Sequence, residues 1–270
     1  MKSRFAKLLL FVFAILILTP ADGWARRKNR SRIVEVNVVE PDLLAQKAKQ
    51  EGCAQETAAI NLDDLLKGNP RYREGIDVSH YQGRIDWDQV AGSEKICYVY
   101  LKATEGATYV DDTYERNLRE VKRVGLCVGS YHFYRPNVHW KQQLANMTAI
   151  VKSHEQDLIP IIDIEYRGRV SESKFIRDLK TFVEQVERFY GKKPLLYSYQ
   201  NFYNRHLKGH FSDYHWMIAK YQEDVPDLHD KKEYIIWQYT QTGKMPGVRG
   251  GVDRSCIMEG FELYQLQMQN

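Results

Sequence analysis

The sequence lacks the long apolar run that a membrane-spanning helix needs. Its longest uninterrupted apolar stretch, Leu8 to Leu18, has 11 residues, whereas a helix that crosses a bilayer needs about 20. Three basic residues precede this stretch, and small or helix-breaking residues follow it up to Ala25. This order is typical of a secretory signal peptide, although an uncleaved membrane anchor is the alternative. We predict that residues 1–25 are removed and that the protein is exported to the periplasm, the cell envelope or the extracellular space.

Cysteine is scarce, with four residues in the chain. Export permits disulfides, but four cysteines in a chain of this length do not form a disulfide framework. Cys97 and Cys127 lie in apolar runs typical of strands, and the alternation of side chains predicts that they point to opposite faces of a sheet. We therefore expect no bridge between them. Cys53 and Cys256 have no evident partners.

Concentrated charge is absent as well. Lys and Arg number 39 against 35 Asp and Glu, and the basic residues form no stripe of the kind that nucleic-acid-binding proteins present. The sequence also lacks the HExxH, CxxC and glycine-rich phosphate motifs, so neither a metal nor a cofactor is predicted. The hydrophobic content of 43% is sufficient for one sizeable core and not for two.

Residues 26–73 differ in composition from the rest of the chain. They begin with a basic cluster, Arg26–Arg32, contain few aromatic residues and show no periodicity strong enough for a domain. We predict that residues 26–73 form an N-terminal arm or linker and that residues 74–270 form the folded domain.

From Gly75 onward, short β-rich runs alternate with helical patterns. The predicted strands cover 75–78, 96–102, 126–134, 158–165, 194–198, 214–219, 235–239 and 251–253, and the predicted helices cover 113–124, 138–154 and 171–190. Repeated strand–helix units predict a mainly parallel sheet. Seven or eight strands in one such stretch favour closure into a small barrel, and the later connections are too short for full helices. The class is therefore α/β, with a barrel that is irregular in its second half.

Two acidic residues lie on one face of a predicted strand in the segment IPIIDIE. Side chains alternate along a strand, so Asp163 and Glu165 point the same way at its C-terminal end. In parallel barrels, catalytic side chains lie at these ends. Neighbouring buried carboxyls shift each other's pKa, which favours one protonated acid. The alternative interpretation is a pair of acids that form salt bridges at a barrel mouth.

Two further acids are predicted to lie at the same rim. Asp77 ends the first strand and Asp253 ends the last, so closure of the barrel makes them neighbours, with Asp163 and Glu165 across the mouth. Four acids without His or Cys at metal-ligand spacing favour acid-catalysed cleavage of a glycoside over metal chemistry.

The motifs that contain these residues resemble those of glycoside hydrolase family 25, the Chalaropsis-type lysozymes. In chain order they are GIDVSHYQGRIDW (75–87), YLKATEG (100–106), GSYHFYRP (129–136), PIIDIE (160–165), LLYSYQNF (195–202), WMIAKY (216–221), WQYT (237–240) and VD (252–253). The ordered set covers nearly the whole chain from Gly75 onward. The resemblance implies an irregular TIM-like (β/α)5(β)3 barrel and a lysozyme, or N-acetylmuramidase. Such an enzyme hydrolyses the β-1,4 bond between N-acetylmuramic acid and N-acetylglucosamine in peptidoglycan.

The resemblance also implies roles for the acids. Glu165 corresponds to the general acid, and Asp163 to the residue that positions or charges the 2-acetamido group of the substrate. Asp77 and Asp253 complete the acidic rim. The chain departs from the family pattern at Arg254-Ser255, where Leu-Asn usually follows the last Asp, and this departure raises the question of what supports Asp253.

Aromatic and polar side chains near the predicted strand ends suit a sugar-binding groove, because flat rings stack on pyranose faces. The predicted substrate-binding residues are Tyr81, Lys102, Tyr131, Tyr197, Trp216 and Gln238. Core packing is the commoner role of a single aromatic residue, so their predicted location at the rim is the reason for choosing them. The predicted partner is the glycan strand of peptidoglycan, without nucleic acid and without membrane insertion after signal cleavage, and the protein is predicted to be a monomer.

Two other functions are compatible with these residues. A glycosidase with the same Asp-x-Glu pattern could act on a chitin-like substrate. A glycan-binding module could keep the barrel without catalysis, although the presence of all four acids argues against it.

Overall fold

The computed structural model describes residues 73–93 and 96–268. The predicted signal peptide, and all of the predicted arm except Arg73, lie outside the described residues. Within the described part of the chain, no helix is both long and apolar enough to cross a membrane.

Nine strands form a single sheet in the described residues, and five α-helices accompany it. The strands are β1 (Glu74–Val78), β2 (Ile96–Glu105), β3 (Tyr109–Val110), β4 (Cys127–Phe133), β5 (Ile161–Asp163), β6 (Leu195–Tyr199), β7 (Trp216–Ala219), β8 (Ile236–Gly243) and β9 (Val252–Ile257). The helices are α1 (Trp87–Ala91), α2 (Tyr114–Arg123), α3 (Trp140–Ile150), α4 (Glu172–Tyr190) and α5 (Gln200–Phe202). Helix α5 continues into a π-helical turn, Tyr203–Leu207, and 3-10 turns lie at His80–Gln82, Ser153–Glu155 and Leu263–Leu266.

Eight of the strands close into a barrel in the order β1, β2, β4, β5, β6, β7, β8 and β9, and β9 pairs with β1. Strands β1 to β8 of the barrel are parallel, whereas β9 is antiparallel to both of its neighbours. Strand β3 forms a hairpin with the end of β2 outside the barrel order. One α-helix lies in each connection of the barrel from β1 to β7. The described connections from β7 to β8 and from β8 to β9 contain no helix. The predicted (β/α)5(β)3 barrel is thus confirmed.

The long helix α4 shows why the sequence folds as predicted. The Ser171 hydroxyl accepts a hydrogen bond from the backbone N–H of Lys174 at 3.3 Å, which caps the helix. Gly191 ends the helix in the left-handed region, with φ 69°. Between these ends, one apolar stripe is buried against the barrel, and it comprises Phe175, Leu179, Phe182, Val183 and Val186.

Two tyrosine rings of β2 occupy the barrel interior, and each requires a glycine on a neighbouring strand. A Cβ on Gly75 of β1 would lie 2.1 Å from the Tyr98 ring, and a Cβ on Gly129 of β4 would lie 2.3 Å from the Tyr100 ring. Any larger residue at either glycine would displace a ring from the core. Both rings lie one or two side-chain layers below Lys102 on the same strand, so they close the barrel beneath its C-terminal rim.

The described cysteines Cys97, Cys127 and Cys256 are free thiols. The expected absence of a bridge between Cys97 and Cys127 agrees with this state, and Cys53 lies outside the described residues.

Candidate active site

A cleft with an empty volume of about 470 Å³ opens at the rim where the parallel strands end, and all four predicted acids line it. Asp77 lies on β1, Asp163 is the last residue of β5, and Glu165 follows two residues later. Asp253 is the second residue of β9, so the prediction that it ends its strand was wrong. Because β9 runs antiparallel to its neighbours, its first residues reach the same rim that the other strands reach with their last.

Asp77 and Asp253 face each other directly across the β1–β9 pair, and their carboxyls are hydrogen-bonded. Burial raises the pKa of Asp77 to about 6, against the lowering effect of hydrogen bonds from Gln238 and Asp253. Burial, followed by the charge of Asp77, raises the pKa of Asp253 to about 9. Two adjoining carboxyls cannot both ionise cheaply, so the pair holds one proton near neutral pH.

Gln238 connects Asp77 of this pair to two tyrosines, Tyr197 and Tyr221. Its Nε2 atom donates to both carboxylate oxygens of Asp77, at 3.1 and 2.9 Å. Its Oε1 atom accepts from the hydroxyls of Tyr197 and Tyr221, each at 2.8 Å. The amide is buried, one of its N–H groups is shared between the two oxygens of Asp77, and both lone pairs of its oxygen are used.

Asp163 and Glu165 form the second acidic pair. Burial raises the pKa of Glu165 to about 7; the charge of Asp77 adds to this rise, and the charge of Lys102 opposes it. Asp163 is buried, and burial followed by the charges of Glu165 and Asp77 raises its pKa well above the usual range. Its Oδ1 atom has no hydrogen-bond partner among the described residues. An unpaired buried carboxyl oxygen is costly, which is typical of a group that a ligand completes.

Two positive side chains, Lys102 and Arg135, act on this pair of acids. The Lys102 ammonium lies 2.7 Å from Glu105 Oε2 and 5.3 Å from the centroids of the Tyr109 and Phe133 rings. Arg135 also binds Glu105. Lys102 was predicted to bind substrate, yet it is buried by these neighbours and does not line the cleft. Its charge acts on the acids from there, because it lowers the pKa of Asp163 and of Glu165.

The other predicted substrate-binding residues divide into two groups. Tyr131, Tyr197 and Gln238 line the cleft, whereas Tyr81 lies on the 3-10 turn after β1, 81% exposed and outside the cleft lining. The expectation that Trp216 lies in the groove was wrong. Its side chain is fully buried, and its ring lies 4.8 Å from that of Tyr203, centroid to centroid. Met217, the next residue, lines the cleft instead, because successive side chains of β7 point to opposite faces.

Some cleft residues were not predicted from the sequence, and they are Ile161, Tyr199, Met217, Tyr221 and Gln241. For one of them a signal existed. Tyr199 lies two residues after the predicted Tyr197, so strand alternation would have placed it on the cleft side. Burial, followed by the charge of Glu165, raises the pKa of Tyr199, so the two side chains are neighbours in the cleft.

An α/β barrel with clustered carboxyls at its strand ends has the arrangement that glycoside hydrolases use for acid catalysis. Sequence comparison gives the family. The pattern of the glycosyl hydrolases family 25 matches residues 76–248, and the chain belongs to that family. The matched range contains Asp77, Asp163 and Glu165, while Asp253 lies beyond it.

Individual relatives agree with this assignment. The chain is 30% identical over 200 residues to Lysozyme M1 of Streptomyces globisporus, which covers 67% of this chain and 66% of that protein. It is 34% identical over 183 residues to the uncharacterized protein YegX of Escherichia coli K12, covering 66% of this chain and 67% of that protein.

Two solved structures share the fold. A family 25 glycosyl hydrolase from Bacillus anthracis superposes with a TM-score of 0.65 at 27% identity, over 72% of this chain and 92% of that one. A bacterial lysozyme from Streptomyces coelicolor superposes with a TM-score of 0.64 at 26% identity, over 72% and 95% of the respective chains.

Proposed function

We propose that the protein is an exported lysozyme that hydrolyses the β-1,4 bond between N-acetylmuramic acid and N-acetylglucosamine in peptidoglycan. The observation that supports it most is the pair of acids on β5. Asp163 and Glu165 share one face of the cleft, and burial keeps Glu165 protonated up to about pH 7. A protonated carboxyl in an open cleft can donate its proton to the oxygen of a glycosidic bond.

In this proposal Glu165 is the general acid. The negative charge of Asp77 favours the protonated form of Glu165, while Lys102 and Arg135 limit the rise of its pKa. The proton is therefore held firmly enough to be present at neutral pH and loosely enough to be transferred.

Asp163 is assigned to the 2-acetamido group of the substrate. The oxygen Oδ1, which has no partner among the described residues, can accept a hydrogen bond from the acetamido N–H. This bond stabilises the ionised form of Asp163 when substrate is bound. It also holds the acetamido group beside the bond that breaks, as attack by the acetamido oxygen requires, whereas direct attack by water needs only a carboxylate that activates the water.

Tyr131, Tyr197 and Tyr199 line the same cleft, and their rings supply flat surfaces for sugar faces. Tyr131 on β4 and Tyr197 on β6 lie on the strands that flank Asp163 on β5, so flat rings adjoin the acids that would act on a bound sugar. We propose the glycan strand of peptidoglycan as the partner and a monomer as the working unit.

Export is supported by the first 25 residues of the sequence and by the location of the proposed substrate outside the cytoplasm. Mass spectrometry of the mature protein should give an N-terminus near Arg26. An intact Met1 on protein recovered from the cytoplasm would contradict this part of the proposal.

The decisive experiment is digestion of purified peptidoglycan, followed by borohydride reduction and mass spectrometry of the fragments. A lysozyme gives reduced muramic acid at the new ends, whereas a glucosaminidase gives reduced glucosamine. Chitin should be digested in parallel. Cleavage of chitin alone would favour the chitin-like alternative, and binding to peptidoglycan without new reducing ends would contradict the proposed activity.

A further inference from the structure

Gln238 was predicted to contact substrate, but its amide is buried and bound to Asp77 and to two tyrosines. Only 1% of the residue is exposed. A glutamine amide has two N–H donors and one oxygen with two lone pairs. One N–H is shared between the two carboxylate oxygens of Asp77, and both lone pairs of Oε1 accept from tyrosine hydroxyls. We propose that Gln238 is a positioning residue, which keeps the shared proton of the Asp77–Asp253 pair on Asp253 and the negative charge on Asp77.

The orientation of the amide follows from its neighbours. The hydroxyls of Tyr197 and Tyr221 are neutral, because burial raises the pKa of both phenols above their usual value. Both can therefore donate to Oε1, and the N–H groups must then face Asp77. The reversed amide would place Oε1 against the carboxylate oxygens of Asp77, which is acceptable only if Asp77 carries the proton.

The consequence for the acid pair is a fixed division of charge. A carboxyl that accepts an N–H bond at both of its oxygens favours its ionised form. Asp253 receives no such bonds from Gln238 and shares its proton with Asp77 across the β1–β9 pair. The order of the two pKa values agrees with this division of charge, since the pKa of Asp77 is about 6 and that of Asp253 is about 9.

The location of the charge within the Asp77–Asp253 pair affects the pKa of Glu165, because the negative charge of Asp77 raises that pKa. Other ionisable groups act on the cluster as well, and they are Asp163 on β5, Lys102 on β2, Tyr131 on β4, Arg135 after β4, Tyr197 and Tyr199 on β6, and Tyr221 after β7. Gln238 differs from all of them because it is uncharged at every pH, so its effect on Glu165 passes through Asp77. The role of Gln238 in catalysis therefore rests on the proposed role of Glu165, whereas the location of the proton does not.

The first test reads the proton without using activity. Carboxyl-¹³C aspartate can be incorporated into the full chain, and Asp77 and Asp253 assigned from Asp77→Asn and Asp253→Asn. In the wild type the Asp77 carboxyl should titrate first. In Gln238→Leu we expect the Asp77 midpoint to rise by about one pH unit or more, as for loss of hydrogen bonds to a buried carboxylate. An unchanged Asp77 midpoint in a folded Gln238→Leu would overturn the proposal, whatever the enzyme hydrolyses.

The second test uses the pH dependence of peptidoglycan hydrolysis. If Asp77 is less ionised in Gln238→Leu, Glu165 loses a neighbouring charge and its pKa falls. The alkaline limb of kcat should then move to lower pH by about one unit, with KM nearly unchanged. A raised KM with an unmoved alkaline limb would show that Gln238 contacts substrate, and would overturn the proposal.

Gln238→Glu covers the case in which the leucine variant does not fold. This change keeps the shape and adds an ionisable group beside Asp77, so the variant should hold one more proton than the wild type when folded. We expect the Asp77 midpoint to rise, because the added carboxyl repels the ionised form of Asp77, and we expect the pH profile of kcat to differ from that of the wild type. Activity that parallels the wild type across the whole pH range would contradict a positioning role. The single variants Tyr197→Phe and Tyr221→Phe each remove one hydrogen bond to Gln238 Oε1. Each should raise the Asp77 midpoint by less than Gln238→Leu does.

Discussion

Asp77 and Asp253 lie 176 positions apart in the chain and are direct cross-strand partners on β1 and β9. The closure of the barrel produces this pairing, because the first strand and the last strand complete the sheet together. The pair is a structural consequence of the fold as much as a feature of the cleft. Any account of the acidic rim has to treat the two carboxyls as one titrating unit.

Replacement of Glu165 by Gln should abolish hydrolysis while keeping the fold. The amide has nearly the same shape but no transferable proton, so kcat should fall by about 10²- to 10⁴-fold, the usual contribution of a general acid. Release of reducing ends from peptidoglycan gives the rate, and the melting temperature checks the fold. The exposed Glu184 on α4 offers a matched control, since Glu184→Gln should leave the rate unchanged. Near-normal turnover by Glu165→Gln would remove Glu165 from the acid role.

The shared proton also predicts how stability depends on pH. The pKa of Asp253 is about 9 in the folded protein against 3.8 for the unperturbed group. Between these values the unfolded chain releases a proton that the folded chain retains, so this group makes the folded state less stable as pH rises. Asp253→Asn removes the effect, and the melting temperature of the variant relative to the wild type should increase from pH 5 to pH 8.

The exposed Asp112 provides the control for this measurement. Asp112→Asn should give a difference in melting temperature that does not vary over the same pH range. A constant difference for Asp253→Asn as well would mean that Asp253 does not hold a proton in the folded protein at neutral pH.

Much of the barrel could be predicted from the sequence because local patterns specify it. The stripe of α4 and its serine and glycine ends predict that helix closely, and alternation in IPIIDIE places Asp163 and Glu165 on one face. The direction of β9 could not be predicted in this way. A short strand near the end of the chain carries no local sign of being antiparallel, and only its partners β8 and β1 determine it.

The error at Trp216 has a different cause. Trp216 was predicted to bind substrate because it is an aromatic residue near a strand end. Met217, and not Trp216, lies on the cleft side of β7. Side-chain alternation says that Trp216 and Met217 point to opposite faces, but it does not say which of the two faces the cleft. All four residues of β7 are buried, so no polar residue marks one face. The hydrogen bonds of Gln238 were equally unpredictable, because they join residues from four separate strands or loops.

Trp216 should therefore matter for stability and not for substrate affinity. Its ring packs against Tyr203 and Phe211, and Trp216→Ala should cost about 3–5 kcal/mol of folding free energy. Trp216→Phe should cost less and keep the enzyme folded at assay temperature. The KM of Trp216→Phe for peptidoglycan should match the wild type, while Tyr199→Ala, on the cleft, should raise it. A raised KM in Trp216→Phe with unchanged stability would contradict the buried location.

The departure from the family pattern at Arg254-Ser255 has a structural answer. Ser255 points into the barrel, where its hydroxyl lies 2.8 Å from that of Tyr98. Arg254 points the other way and forms an ion pair with Glu74 on β1, beside Tyr239. Arg254 thus joins β9 to β1 on one face of the sheet, and Ser255 joins β9 to β2 inside the barrel.

Ser255→Ala should destabilise the fold by about 1–3 kcal/mol, because it leaves the buried Tyr98 hydroxyl without its partner. Tyr98→Phe combined with Ser255→Ala removes both polar groups, so the double variant should lose less than the sum of the two single variants. Chemical denaturation of the four proteins gives the interaction. Additive losses would show that the two hydroxyls contribute independently.

The last prediction concerns the N-terminal arm. Arg73, the last residue assigned to it, is bound to the barrel: its guanidinium donates to the backbone oxygens of Ile257, Met258 and Phe261, at 3.2, 2.5 and 2.9 Å. A mature chain that begins at Arg73 should fold and hydrolyse soluble glycan fragments normally. Its melting temperature should fall by no more than a few degrees, as for loss of about 1 kcal/mol.

A chain that begins at Glu74 should be less stable than one that begins at Arg73, because those three backbone oxygens lose their charged donor. The basic cluster Arg26–Arg32 is expected to act on intact walls alone, by attraction to anionic polymers that salt screens. Hydrolysis of soluble fragments and of intact walls should therefore be compared for full and shortened chains at low and high salt. A selective loss on walls that disappears at high salt supports a tether, whereas equal loss on both substrates would show that residues 26–72 are part of the catalytic fold.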